Sequence, residues 1–334
     1  MTTPNSIKAA LVKLYLQRIA KSKAPIVVGP FRSEVGFEVL YWMPFVKWAL
    51  GYAGIDPNRC VALSRGGMGK LYGVAHDADL YKLRGVDAVR FENTADYERR
   101  KLQKQTEITP WDVDVSREAA KGAFGPSRSL HILHPSWMYW LLDAYWNEQA
   151  SVQWAAQFLP YGPLPIPSLP EGVTLPKKFI AVRLYERATF PMTRDVQAVM
   201  AEFIQQLAAR EPIVVLRTKH HTDDHIDFGL SGTNIHQIPD VQPEQNLLFQ
   251  GAILARASAF VGTYGGVAQW ALRYGKPSYS LFVKFQGTAL AHWHLSQLLA
   301  AKMDVPFQVM DLRLMGLWSR SMLGSTKAAE KVGA

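Results

Sequence analysis

The chain has 334 residues, 48% of them hydrophobic and only 19% charged; this excludes a disordered or linker-like protein and leaves room for two packed domains of roughly 150 residues each. Its single cysteine, Cys60, excludes an internal disulfide and a thiol-rich metal site, so a reducing cytoplasm is the expected compartment. The net charge of +9 favours phosphate-bearing or otherwise anionic partners; with no zinc-finger spacing and no RNA-recognition motif, nucleic acid is not among the partners expected.

The first predicted element is a helix from Ser6 to Ala20. Lys8, Lys13, Arg18, Lys21, Lys23 and Arg32 precede the first carboxylate, Glu34. Ile7, Leu11, Leu14 and Ile19 recur near helical spacing and predict the face that packs on the protein's own surface. The alternative occupant of that stripe is the inner face of a membrane, as for a peripheral protein.

A strand from Pro25 to Val28 ends in Gly29-Pro30, and a helix-like apolar segment follows from Val35 to Trp48. The connecting loop carries Ser33, Glu34, Gly36 and Glu38 at the carboxyl end of the strand. Glu34 is the expected general base, since a carboxylate held within reach of a hydroxyl can take its proton. The competing reading is an ordinary helix start with Ser33 as its cap and Glu38 in the first turns. Arg59 to Ser64 reads as a second strand, with a loop at Gly66-Gly67-Met68-Gly69.

The stretch from Glu92 to Glu118 is polar with weak periodicity. Within it Asp112-Val113-Asp114 has the spacing of a cation-binding pair, although the order of surrounding elements speaks against that use, and no metal is expected. A strand from His131 to His134 leads into Pro135-Ser136-Trp137-Met138-Tyr139-Trp140. This makes His134 the second candidate base and Tyr139 a candidate cleft residue, against core packing for the aromatic run.

Six prolines between Pro160 and Pro176 predict a linker, because proline supplies no backbone donor to a central strand or a helix interior. The expected division is therefore an N-terminal domain over 1–160, a linker over 161–177, a second domain over 178–310 and a tail over 311–334. Beyond the linker, strands (Phe179 to Leu184, Ile213 to Thr218, Ala259 to Val261, Ser278 to Leu281) alternate with helices (Asp195 to Arg210, Asn246 to Arg256, Val267 to Tyr274). That alternation predicts an α/β fold with parallel sheets covered on both faces.

Arg183, Arg187, Arg217 and Lys219 fall at or just past strand ends, where ligands of open α/β sheets bind and where a guanidinium can hold a phosphate by two bonds. The polar run from His220 to Asp227 could also supply metal ligands, but reads more simply as a loop facing a bound nucleotide. Thr263-Tyr264-Gly265-Gly266 lies between a buried strand and a helix that includes Gln269. Glycines there allow close backbone approach, and the helix N-terminus offers N–H groups to a phosphate.

Strand, Gly-rich turn, short helix, then Gly275-Lys276-Pro277 and a hydrophobic strand resemble the donor-binding half of glycosyltransferases of the B fold (GT-B). The strand Phe179-Ile180-Ala181-Val182-Arg183 is distantly similar to the strand ending in arginine of fucosyltransferase-like members, although Leu184-Tyr185-Glu186 intervene before Arg187. The resemblance implies two Rossmann-like domains facing a cleft and a hexosyl- or deoxyhexosyltransferase. It implies a nucleotide-sugar donor, a glycan or lipid-linked acceptor, and no cofactor or metal, positive side chains and helix ends taking the cation's place. A sugar-nucleotide 2-epimerase, or a non-catalytic nucleotide- or carbohydrate-binding protein, would show the same pattern.

Overall fold

The computed structural model describes residues 4–90, 104–186, 190–191, 193–217, 226–227, 229–284 and 289–314. Two parallel sheets organise them. The first has strand order β3-β2-β1-β4, with β1 Ile26–Val28, β2 Cys60–Ser64, β3 His76–Asp79 and β4 His131–Leu133. The second has order β12-β11-β10-β5-β7-β9, with β5 Ile180–Arg183, β7 Ile213–Val215, β9 Ile235–Gln237, β10 Ala259–Thr263, β11 Ser278–Phe282 and β12 Phe307–Asp311. A short antiparallel pair, β6 Tyr185–Glu186 and β8 Ile226–Asp227, lies apart. The central strands β1, β2, β7 and β10 are apolar runs without alternation, as expected where helices cover both faces of a sheet. This is the α/β architecture predicted from the sequence.

Helix α1 (Pro4–Lys21) departs from expectation in its orientation. Val12, Leu16 and Ile19 are its core residues, and Tyr15 stacks on Trp137 and donates a hydrogen bond to the Ile132 carbonyl at 2.7 Å. Of the predicted stripe only Ile19 packs inward; Ile7, Leu11 and Leu14 are exposed. The helix has two apolar arcs, and the one with Val12 and Leu16 meets the body.

Helix α2 is continuous over 35–53 and contains a widened π-turn at Glu38–Trp42. Such a turn disturbs the ordinary i to i+4 pairing of carbonyls, which then look for other donors. Arg273, at the end of the helix Gly266–Arg273, donates to the Val39 carbonyl at 2.8 Å, and Tyr161 donates to the Leu40 carbonyl at 2.9 Å. Arg273 also donates to the Gly162 carbonyl at 3.1 Å, while its own carbonyl accepts from the Leu164 N–H. The proline-rich stretch is thus strapped to the second sheet's helices, and one hydrophobic cluster runs through both halves of the molecule. Burial pushes the Arg273 guanidinium down to about 10.

A second junction lies at the turn after β2. Gly66 and Gly67 both have positive φ, and side chains there would run into Leu247 and Leu248 of the helix Asn246–Leu254. The Leu248 N–H donates to the Gly66 carbonyl at 2.8 Å. Asp79 accepts from the Gly67 N–H at 2.7 Å and caps the helix Leu80–Arg84 through the Tyr81 N–H at 2.9 Å. Burial raises its pKa from 3.8 to about 6, against the pull of those N–H groups and with a smaller push from Glu244. A carboxyl whose folded pKa lies above its unfolded value stabilises fully below the lower value and loses that contribution as pH rises through the higher one. Compared with Asp79→Asn, the wild-type chain should therefore lose on the order of 1–2 kcal/mol of unfolding free energy between about pH 4 and pH 7. Urea titrations of both proteins across that window check this; parallel curves would assign the pH dependence elsewhere.

Candidate functional site

Each sheet has one place where strand order reverses: beside β1 in the first, where β2 and β4 diverge, and between β5 and β10 in the second. Ligands of doubly wound sheets bind at the carboxyl ends of the strands at such points. The loops leaving β1 and β10 meet. A Cβ built on Gly266 would lie 2.5 Å from the Gly36 nitrogen and 2.8 Å from its Cα, and one on Gly36 would lie 3.1 Å from the Gly266 Cα and 3.2 Å from Gln269 Oε1. The helix starts that follow the two switch points thus lie in contact.

On the first sheet, the loop 29–34 is fixed from several sides. Gly29 has φ +129°, a Cβ on it would run into the Leu63 carbonyl, and the Phe31 N–H donates to that carbonyl at 2.9 Å. Gln105 accepts from the Arg32 N–H and donates to the Pro30 carbonyl, both at 2.8 Å. Arg32 lies 4.1 Å from the centroid of the Trp111 ring and 3.6 Å from Asp112, and Arg65 donates to the carbonyls of Phe31 and Ser33. Ser33 is not the helix cap. Its hydroxyl accepts from Tyr139 at 2.9 Å, and Glu34 takes the cap position with no side-chain cap bond. Glu34 is left half-buried at this helix start.

Beside it stands Lys104, which the sequence reading did not single out. Its Nζ sits 5.5 Å from the Phe37 ring and 5.3 Å from the Trp146 ring. Burial lowers its pKa, and the carboxylates of Glu34 and Asp143 partly restore it. His292, from the helix Ala289–Met303 of the second half, closes the same aromatic group, with Nδ1 2.5 Å from the Tyr41 hydroxyl and its ring edge-on to Phe37.

Two residues offered as chemical groups serve the fold instead. Glu38 is 0% exposed and accepts from the Ser64 and Tyr72 hydroxyls, each at 2.5 Å, with Arg65 3.8 Å away. Burial and the neighbouring Glu38 charge drive the Tyr72 phenol well above its usual value. His134, the runner-up base, is 1% exposed and caps the helix Pro135–Trp146, its Nδ1 accepting from the Ser136 N–H at 3.1 Å. That bond places the ring proton on Nε2, which faces Asp112 at 3.6 Å. Asp112 is the reciprocal partner of Thr109 in a capping box at the start of the helix Pro110–Phe124. Burial alone would raise its carboxyl, but His134, Arg32 and Thr109 together hold it below the usual range. Asp114, two residues on along the helix, pairs with Arg117 at the surface, so the Asp-x-Asp spacing does not make a cation pair. Among the described residues no three His, Cys, Asp or Glu side chains converge as a metal site.

On the second sheet, Arg183 ends β5 in register with Gly262, where a Cβ would strike the Arg183 carbonyl at 2.1 Å. Its guanidinium lies 5.6 Å from the Tyr185 ring and donates to Gln250 Oε1 at 3.0 Å, and Gln250 donates in turn to Asn246. Arg217, past the end of β7, is exposed. Thr263 accepts from the Tyr185 N–H and donates to the Tyr185 carbonyl, fixing the segment after β5, and Tyr264 donates to the Ala289 carbonyl at 3.1 Å. Gly265 caps the helix Gly266–Arg273, whose N–H of Gln269 turns back to the Gly265 carbonyl. Arg187 and Lys219 lie outside the described residues, as does most of the polar run from His220 to Asp227.

No family model matches the chain, and no curated protein matches it. Solved structures that it resembles include a family 9 glycosyl transferase from Veillonella parvula (12% identity, 91% of this chain and 90% of that one, TM-score 0.40). The ADP-heptose LPS heptosyltransferase II of E. coli aligns at 12% identity over 86% and 90% of the two chains, with a TM-score of 0.42. The UDP-GlcNAc 2-epimerase of Methanocaldococcus jannaschii aligns at 10% identity over 86% and 88%, with a TM-score of 0.33. At such distances these resemblances carry no inference about activity, which has to be read from this chain's own side chains.

The contact between the sheets can be tested by a pair of substitutions. Gly266→Ala should destabilise by about 1–3 kcal/mol, the usual range for overpacking, because backbone rather than a flexible side chain lies in its way. Gly51→Ala, in the exposed interior of α2 with nothing within 4 Å, should stabilise by about 0.5–1 kcal/mol. Thermal unfolding of the two variants measures the contrast; a neutral Gly266→Ala would mean that the sheets separate freely at this point.

Proposed function

We propose that the chain is a glycosyltransferase of the GT-B type that takes its sugar from a nucleotide-sugar donor. The observation that supports this reading is the meeting of Gly36 and Gly266, which brings the helix start carrying the half-buried carboxylate Glu34 against the glycine turn after β10. The donor's diphosphate lies at the β5–β10 switch point, near the N-terminus of the helix Gly266–Arg273 and within reach of Arg183, with Arg217 bordering the nucleotide. Thr263 and Tyr264 hold the turn, and Gln269 lines it against Gly36.

Glu34 accepts the proton of an acceptor hydroxyl as that oxygen bonds to the anomeric carbon. The bond from that carbon to the diphosphate oxygen breaks, and its electron pair leaves with the nucleotide. Attack from the face opposite the leaving group inverts the centre. Burial of Glu38 and His134 supports Glu34 as the base. Lys104 sets a positive charge beside Glu34, and the half-buried Trp146 offers an apolar wall to a sugar or acceptor. The acceptor is a glycan or another hydroxyl-bearing molecule.

Calorimetric titration with GDP, UDP, ADP and CMP, with and without Mn²⁺, tests the donor side. One nucleotide should bind without metal, and Arg183→Ala should weaken it by roughly 10–100-fold, the worth of a hydrogen bond to a charged group. Glu34→Gln should leave that binding intact while lowering release of nucleotide from the matching nucleotide sugar by about 100-fold or more. Binding of none of the four would remove the transferase reading. Conversion of the donor's sugar to its epimer, with no acceptor present, would replace it with the epimerase.

A further inference from the structure

Helix α1 spends one face on the core and leaves a second apolar face outside. Val12, Leu16 and Ile19 are fully buried, whereas Ile7, Leu11 and Leu14 are 51%, 46% and 62% exposed. The three exposed side chains follow each other at spacings of four and three, so they form a single ridge along the outer side of the helix. Scattered exposed aliphatics are ordinary, and a helix that packs by one face normally carries polar residues on the other. Here the outer arc holds three large aliphatics and Ala10, and its last turn ends in Arg18 and Lys21. An aromatic ring stands on each flank, both partly exposed: Trp140, 5.9 Å from Lys8 Nζ, and Tyr52, 5.3 Å from Lys13 Nζ.

We infer that this face docks on an anionic lipid bilayer, with Ile7, Leu11 and Leu14 entering the acyl boundary and the lysines and arginines meeting the headgroups. Charge selects the occupant. The first 33 residues carry no carboxylate, and among the described residues Lys8 pairs with Asp143 at 3.3 Å. A second copy of the chain would bring an equally basic helix against this one, which repulsion opposes, whereas anionic headgroups supply the missing charge over an extended plane. Lysine and arginine stems can lie along the apolar ridge while their charges stay in the headgroup layer, and tyrosine and tryptophan favour the same depth. An 18-residue helix lying flat presents a contact about 27 Å long. Among the described residues no helix is long and apolar enough to cross a membrane, so the contact is peripheral.

This inference stands apart from the transferase reading, and its test needs no sugar donor. Removing the N-terminal segment would strip Val12, Leu16 and Ile19 from the core, so point substitutions on the outer face are used. The full chain is sedimented with vesicles of phosphatidylglycerol and phosphatidylcholine in equal parts, and with vesicles of phosphatidylcholine alone. The chain should partition onto the anionic vesicles and not the neutral ones. Leu11→Ser combined with Leu14→Ser should reduce partitioning by roughly tenfold or more, and Arg18→Glu with Lys21→Glu by a similar factor, both with unchanged thermal unfolding. Absence of the wild-type chain from the anionic pellet would overturn the inference, as would equal partitioning of the Leu11→Ser, Leu14→Ser protein. A concentration-dependent dimer in analytical ultracentrifugation, abolished by the same substitutions, would instead assign the ridge to contact between copies.

Discussion

The close approach of two glycine backbones, Gly36 and Gly266, is the constraint on which the arrangement of this molecule depends. A Cβ on Gly266 would fall 2.5 Å from the Gly36 nitrogen, so backbone would have to shift, and one on Gly36 would be tight at 3.1 Å from the Gly266 Cα. The junction is secured further along the same helices. The π-turn of α2 offers the Val39 and Leu40 carbonyls, and Arg273 and Tyr161 take them up. A guanidinium suits this place because its fixed fork reaches carbonyls on two segments at once, Val39 and Gly162, which a lysine ammonium on a flexible stem would hold less firmly. Its lowered pKa shows what desolvation costs the cation, and its carbonyl partners answer part of that cost.

Three carboxylates of the first half show how environment sorts identical chemistry. Asp112 is held ionised between Arg32, His134 and Thr109 and spends its lone pairs on a helix start. Glu38 is enclosed by two hydroxyls and Arg65 and ties α2 to the end of β2 and the turn beyond it. Glu34, four residues before Glu38, keeps access to solvent and has a cation set in aromatic rings beside it. Sequence spacing alone cannot separate Glu34 from Glu38. Separation follows from the direction of the chain at the helix start: the cap residue remains outside while the residue one turn later is carried inward.

The order of strands and helices in the second half was legible because apolar runs and helical periodicities there are regular; Asn246–Leu254 and Gly266–Arg273 lie where their patterns place them. The first half was less legible. Gln105 and Lys104 come from a polar stretch without periodicity, and only long-range contacts give them meaning: Gln105 completes the hydrogen bonding of a loop some seventy positions away. The inward arc of α1 was misread because the helix has two apolar arcs, and periodicity does not say which of them meets the body. Ser33 looked like a cap by residue type, yet Tyr139, brought close by β4 and its helix, claims the hydroxyl. In each case the deciding partner is distant in sequence, so no local pattern could have named it.

The junction also bears on the anion binding proposed for this site. Helices that begin at Val35 and at Gly266 bring like ends of their dipoles together, each equivalent to roughly half a positive charge. Such an approach is unfavourable unless negative charge is nearby, and the fold places the Glu34 carboxylate at one of these ends. The other end, at Gly265 and Gly266, is flanked by Arg183 across β10 and β5. A diphosphate would neutralise the excess there, whereas a neutral ligand would leave it standing. Under the proposed reading, the backbone contact that joins the two sheets also favours an anion at their junction.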